Sequence, residues 1–127
     1  QSSAKNLSFI HGSVEEFNQT GQKPFDYAIL TYVIHEINEK ERITLLKDTA
    51  KIAKWIIIGD YKVPGPTGFA GFTTKMIEFL AGRDHYKNFR NYMSNGGISS
   101  IAEIAGLKIQ KEIKGPSLTN RIYILVE

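Results

Sequence analysis

Phe25-Asp26-Tyr27-Ala28-Ile29-Leu30-Thr31-Tyr32 decides the fold. It reads as a mostly apolar strand and runs straight into Val33-Ile34-His35-Glu36, a turn carrying an imidazole and a carboxylate. Behind it, Asn38 followed by Glu41 has the capping-box pattern of a helix start. Ile43, Leu46, Ala50 and Ala53 then recur at helical spacing, with Lys47, Lys51 and Lys54 toward the negative end of the helix dipole. Trp55-Ile56-Ile57-Ile58-Gly59 is a continuous apolar run, the pattern of a strand covered on both faces, as parallel strands usually are. Strand, helix and strand in that order predict an α/β sheet with helices on both faces.

Downstream, Pro64-Gly65-Pro66 breaks the chain. Phe69, Phe72, Met76, Phe79 and Leu80 form a helical stripe expected to be core or the wall of a lid. His85, Phe89 and Tyr92 mark a second helix, and Ile98, Ile101, Ala102 and Ala105 a third, with Gly106 suited to its C-cap. Residues 107–113 and 121–126 read as two strands joined by a short antiparallel return. Upstream, Asn6-Leu7-Ser8-Phe9-Ile10 alternates as a short strand ending at His11-Gly12, and Ser13 caps a turn through Phe17.

The 127 residues weigh 14.3 kDa. A folded body of that mass exposes roughly 6,800 Å², enough burial for one core and not two, so residues 1–127 read as a single domain. The absence of cysteine excludes a disulfide scaffold, a thiolate zinc site and a cysteine nucleophile, and it fits a cytoplasmic setting. The net charge of +3 is scattered rather than gathered on one face, which argues against nucleic acid as a partner. No apolar run approaches the roughly 18 residues of a membrane span. No metal-ligand spacing and no serine nucleophile elbow is present. The chain opens Gln1-Ser2-Ser3-Ala4-Lys5 without an initiator Met, which reads as a segment of something longer.

Ligands of open α/β sheets gather beyond the carboxyl ends of the parallel strands. That rule selects His11-Gly12-Ser13, then Thr31-Tyr32 with the His35 turn, and Gly59-Asp60-Tyr61. The segment 25–37 resembles the fourth-strand region of class I S-adenosylmethionine-dependent methyltransferases, where an Phe-Asp pair, an apolar run and a Leu-His step are common. Residues 6–14 resemble the third strand and its Gly-Asp-small turn, 55–61 the fifth strand, and 106 onward the terminal strand pair. The stretch 80–89 resembles an insert of small-molecule members.

That resemblance implies the carboxy-terminal half of a Rossmann-like sheet, mainly parallel with an antiparallel last strand, without the glycine-rich loop that precedes it in the family. It implies S-adenosylmethionine as cofactor and methyl transfer to a small-molecule acceptor. Gly12, Ser13, Val14, Leu30 and Thr31 fall at cofactor positions, with Ser13 alternatively a plain helix cap. His35 falls where the family often has histidine; it would orient substrate or act as a base, or else pack at the top of a helix. Asp60 is the candidate carboxylate for the acceptor's proton, and Tyr61, His85 and Tyr86 are the candidate substrate residues. The family's strand order, 3-2-1-4-5-7-6, leaves the fourth strand with an open edge in this chain. The sequence therefore predicts one of three outcomes: the third strand moves beside it, a second copy pairs there by edge pairing or strand exchange, or the missing amino-terminal half covers it. The competing reading is a non-catalytic interaction or oligomerisation module derived from the same fold. An RNA-directed methyltransferase has only the weak basic excess behind it.

Overall fold

A computed structural model describes residues 6–21 and 24–127, and of Phe69 only the backbone. The elements in those residues are α1 (Val14–Asn18), β1 (Phe25–Thr31), α2 (Glu39–Ile52), β2 (Ala53–Tyr61), α3 (Gly68–Leu80), α4 (Arg83–Ser94), α5 (Gly97–Ala105), β3 (Lys108–Lys114) and β4 (Asn120–Val126). Local chemistry fixes their ends. The Asn38 side chain accepts the Glu41 N–H (3.1 Å) at the start of α2. Gly106, at φ 80°, closes α5 in a left-handed cap that a side chain would strain.

The sheet order is β1-β2-β4-β3. β1 and β2 are parallel with Leu30 opposite Ile58, whereas β2–β4 and β4–β3 are antiparallel. This is the order the resemblance implies for its last four strands, antiparallel last strand included. β1, β2 and β3 run in one direction and β4 against them, so the sheet is mainly parallel in strand direction with its last strand reversed. Residues 7–11 form no strand: Leu7, Phe9 and Ile10 are exposed. Alternation alone makes no strand without a neighbour to accept its hydrogen bonds, and α1 is instead held by its own contacts. Phe17 stacks on Phe25 (centroids 5.6 Å) and Asn18 donates to the Asp48 carbonyl (3.1 Å). The first of the three predicted outcomes is thereby excluded for the described residues: nothing in them pairs with the outer edge of β1.

The core lies on one side of the sheet. Ile56 and Ile58 of β2 and Tyr123 and Leu125 of β4 meet Leu46 of α2, Tyr92 of α4 and Ile98 of α5. The other side pairs Tyr27 with Trp55 and Ile29 with Ile57, and none of these belongs to the core. Tyr27 is 63% and Ile29 67% exposed. Of the apolar run of β2, Ile56 and Ile58 are thus fully buried, whereas Trp55 and Ile57 are half-buried. The stripe on α3 is also not core: Phe72, Met76 and Phe79 are exposed, and Glu78 is the buried residue of that helix. Phe69's place in the stripe lies outside the described residues. The chain exposes 8894 Å², well above the roughly 6,800 Å² of a self-contained body of its mass.

Burial pushes the Tyr123 hydroxyl up to about 12, and burial likewise raises Tyr92, whose hydroxyl donates to the Tyr61 carbonyl (2.7 Å). An unfolded tyrosine titrates near 10, so the folded chain holds these protons more tightly. Their contribution to stability is complete below about pH 10 and is lost as pH rises toward 12. Urea midpoints should hold level from pH 8 to 9.5 and then fall, and Tyr123→Phe should flatten part of that fall.

Candidate active site

β1 ends abruptly. Tyr32 adopts φ 53°, uncommon for a side chain, and donates its N–H to the Gly59 carbonyl (2.8 Å). This throws Val33–Glu36 over the carboxyl end of β2, where Asp60 waits. Asp60 is fully buried, and its carboxylate accepts four hydrogen bonds. Oδ2 takes the N–H groups of Ile34 (3.1 Å) and His35 (3.3 Å); Oδ1 takes the Tyr61 N–H (2.7 Å) and the His35 ring at Nδ1 (2.6 Å). Asp60 is thus enclosed, with both of its oxygens occupied by donors of this chain.

His35 is 2% exposed and boxed by aromatic rings, the nearest being Tyr61 (centroids 4.8 Å). Its Nε2 lies 3.8 Å from Glu78 Oε1. Glu78 is itself buried; Oε1 accepts the Tyr61 hydroxyl (2.7 Å) and Oε2 accepts from His85 Nε2. Burial first, and the bond to Glu78 second, raise the Tyr61 hydroxyl well above its ordinary value, so it remains a donor. The rings of His35 and His85 stand 5.6 Å apart. Asp60, His35, Glu78 and His85 thus form one chain of alternating carboxylates and imidazoles, and His85, with 22% of its side chain exposed, is the end that reaches solvent.

Arg42, from the first turns of α2, braces this arrangement from behind. It is 1% exposed, with Nε on the Ile34 carbonyl (2.8 Å), Nη1 on Asn91 Oδ1 (2.8 Å) and Nη2 on the Asn88 carbonyl (2.6 Å). Its guanidinium lies over the Tyr92 ring (5.5 Å), and desolvation pulls its pKa below the ordinary value. Sequence reasoning missed both Arg42 and Glu78. The one available signal for Glu78 was an acid set between Met76, Ile77 and Phe79 in an otherwise apolar stripe.

The remaining expected residues divide. Tyr86 lies outside the buried chain, stacked near Phe89 (6.5 Å) with the Arg90 guanidinium over its ring (6.0 Å). It lines an open groove of about 780 Å³ together with Phe72, Lys75, Phe89, Arg90 and Met93. Phe89 is shared: it also packs against Tyr61 (5.3 Å) and His35 (6.2 Å). Leu30 and Thr31 sit at the carboxyl end of β1, beside Gly59 and the Asp60 cluster. Gly12, Ser13 and Val14 do not join them. α1 is fastened at Phe25, the opposite end of β1, about 20 Å away by strand rise. Ser13 is occupied as a cap, accepting the Glu16 N–H (3.1 Å) while its own N–H goes to the Glu16 carboxylate (2.7 Å). Leu30 and Thr31 thus stand at the carboxyl end of β1, while the described contacts of α1 are made with Phe25 and Asp48.

No family model and no curated protein matches the sequence. Solved structures do match in fold. The mitomycin 7-O-methyltransferase MmcR has a TM-score of 0.67 at 14% identity, over 98% of this chain and 35% of that one. CalO1, a methyltransferase in calicheamicin biosynthesis solved with S-adenosylhomocysteine bound, has 0.63 at 14% identity, over 97% and 35%. A structure described as a pericyclic reaction enzyme has 0.58 at 11% identity, over 84% and 27%. The chain has the fold of a portion of these enzymes and spans about a third of their length.

Asp60→Asn puts an amide N–H₂ where one of the two pairs of donors converges. It should cost about 3 kcal/mol or more, as breaking a buried pair does, and release the His35 ring. Denaturant unfolding and loss of a slowly exchanging His35 Nδ1–H resonance read the two effects; unchanged stability would remove Asp60 from its organising role.

Proposed function

We propose that this chain is the carboxy-terminal portion of an S-adenosylmethionine-dependent methyltransferase with a small-molecule acceptor, and that it is not active alone. The observation that carries the reading is the strand order β1-β2-β4-β3 with the buried cluster seated over the carboxyl ends of its one parallel pair, where ligands of such sheets bind. The cofactor supplies an electrophilic sulfonium methyl and its leaving group. What remains for the protein is orientation and exclusion of water, which need no elaborate catalytic constellation.

The backbone at Leu30 and Thr31 lines the methionine end of the cofactor in this proposal, and Gly12, Ser13 and Val14 approach the adenine only if residues 6–14 are carried toward that end by further strands. His35, held by Asp60, sets the floor of the acceptor site. Tyr61 and His85 are the members of the cluster within reach of an acceptor, and Tyr86 with its groove receives the body of the molecule. A cytoplasmic setting belongs to the same proposal; among the described residues no helix is long and apolar enough to cross a membrane.

The test is titration calorimetry with S-adenosylhomocysteine, run on this chain and on the longest natural polypeptide that contains it. Saturable binding by the longer polypeptide, with weak or no binding here, is the expected result. No heat from either would end the methyltransferase reading.

The bare face and open edge of β1 favour one second reading, a pairing module. We propose that the edge is covered by the remaining strands of the sheet when these are present and by a second copy when they are not. Light scattering should then give a mass above 14.3 kDa for the isolated chain. Ile29→Lys, at an exposed position on that strand, should return it to a single copy, because a charge on an edge strand blocks pairing. A monomeric isolated chain, before any substitution, would remove the self-pairing proposal.

A further inference from the structure

We propose that His35, Glu36 and His85 bind a divalent first-row transition metal such as Zn²⁺ or Fe²⁺. One nitrogen from each imidazole and one carboxylate oxygen of Glu36 lie within 4.8 Å of one another. Two imidazoles and one carboxylate make a donor set these ions favour, with positions left open for another ligand.

The hydrogen bonds have already assigned the ring nitrogens. Nδ1 of His35 is committed to Asp60 and Nε2 of His85 to Glu78. That leaves Nε2 of His35 and Nδ1 of His85 as the ligating atoms. A metal-bound histidine almost always gives its other nitrogen to a carboxylate or carbonyl, which fixes the ring and strengthens the donor. Here both histidines have that support, and both supporting carboxylates are buried. Nε2 of His35 makes no hydrogen bond although the ring is almost wholly buried; its nearest acidic atom is 3.8 Å away.

Glu36 completes the set from the exposed side. Its backbone is pinned where Asn88 Nδ2 donates to its carbonyl (2.7 Å), while its carboxylate has no ion pair or hydrogen bond among the described residues. Full ligation at about 2.0–2.2 Å requires the three donors to draw closer than 4.8 Å, a movement the Glu36 side chain is free to make. The partly exposed His85 and Glu36 give the ion its way in. Charge points the same way: Asp60, Glu78 and Glu36 bring three carboxylates to two imidazoles. The proposal stands independently of methyl transfer, since the ligands and their supports all lie within this chain.

The test is titration of the chelator-treated chain with Zn²⁺, and with Co²⁺ as a chromophoric substitute, followed by calorimetry and visible absorption. One saturable equivalent is expected. Glu36→Gln, at an exposed position that the fold does not depend on, should weaken binding at least tenfold, as should His85→Ala. Glu78→Gln should weaken it about 10- to 100-fold through the His85 ring alone. His11→Gln, at the exposed third histidine, should leave binding unchanged. Absence of a saturable equivalent, retention of full affinity in Glu36→Gln and His85→Ala, or loss of binding in His11→Gln would each overturn the proposal.

Discussion

A single buried carboxylate holds the functional end of this molecule together. Asp60 sits at the last inward position of β2, removed from water, and an isolated charge there would be costly. The cost is offset because the chain brings it four donors, three of them from backbone N–H groups. Two of those N–H groups, from Ile34 and His35, belong to a turn that could not otherwise satisfy its own amides at that depth. Carboxylate and turn are thus each the other's solution. The φ of Tyr32 and the reach of Arg42 across to α4 follow from keeping that turn in place.

The same economy is missing from the other side of the sheet. β2 carries an apolar run on both faces, yet only Ile56 and Ile58 face a core; Trp55 and Ile57 look out with Tyr27 and Ile29. An apolar surface of that extent on a sheet, beside an unpaired edge, is what proteins cover when they can. The excess exposed area and the apolar flank of α3 are the same fact seen from two further directions.

This asymmetry explains which parts of the molecule were legible in the sequence. α2, α4 and α5 were, because caps and spacing are local signals; Asn38, Gly106 and the Phe89–Tyr92 pair each act within a turn or two. β1, β2 and the β3–β4 return were legible for the same reason. The strand at residues 6–10 was not, since its pattern is real but a strand exists only through a partner elsewhere. The stripe on α3 failed likewise: periodicity says which face of a helix is apolar and nothing about what lies against it. His35, Asp60, Tyr61 and His85 were each visible as candidates from their place beyond strand ends or in the helical insert. Their assembly was not, because His35 and His85 meet each other and Glu78 only across a fold that brings distant segments together.

The two halves of the site therefore depend on different things. Every donor and acceptor around Asp60 belongs to β2, the turn after β1, α2, α3 or α4, so that cluster is assembled by the packing this chain already has. Residues 12–14 lead into a short helix whose described anchors are Phe25, at the start of β1, and Asp48 of α2. In the proposed methyltransferase, the acceptor side of the crevice is then shaped by this packing alone, while the cofactor side depends on what covers the open edge of β1.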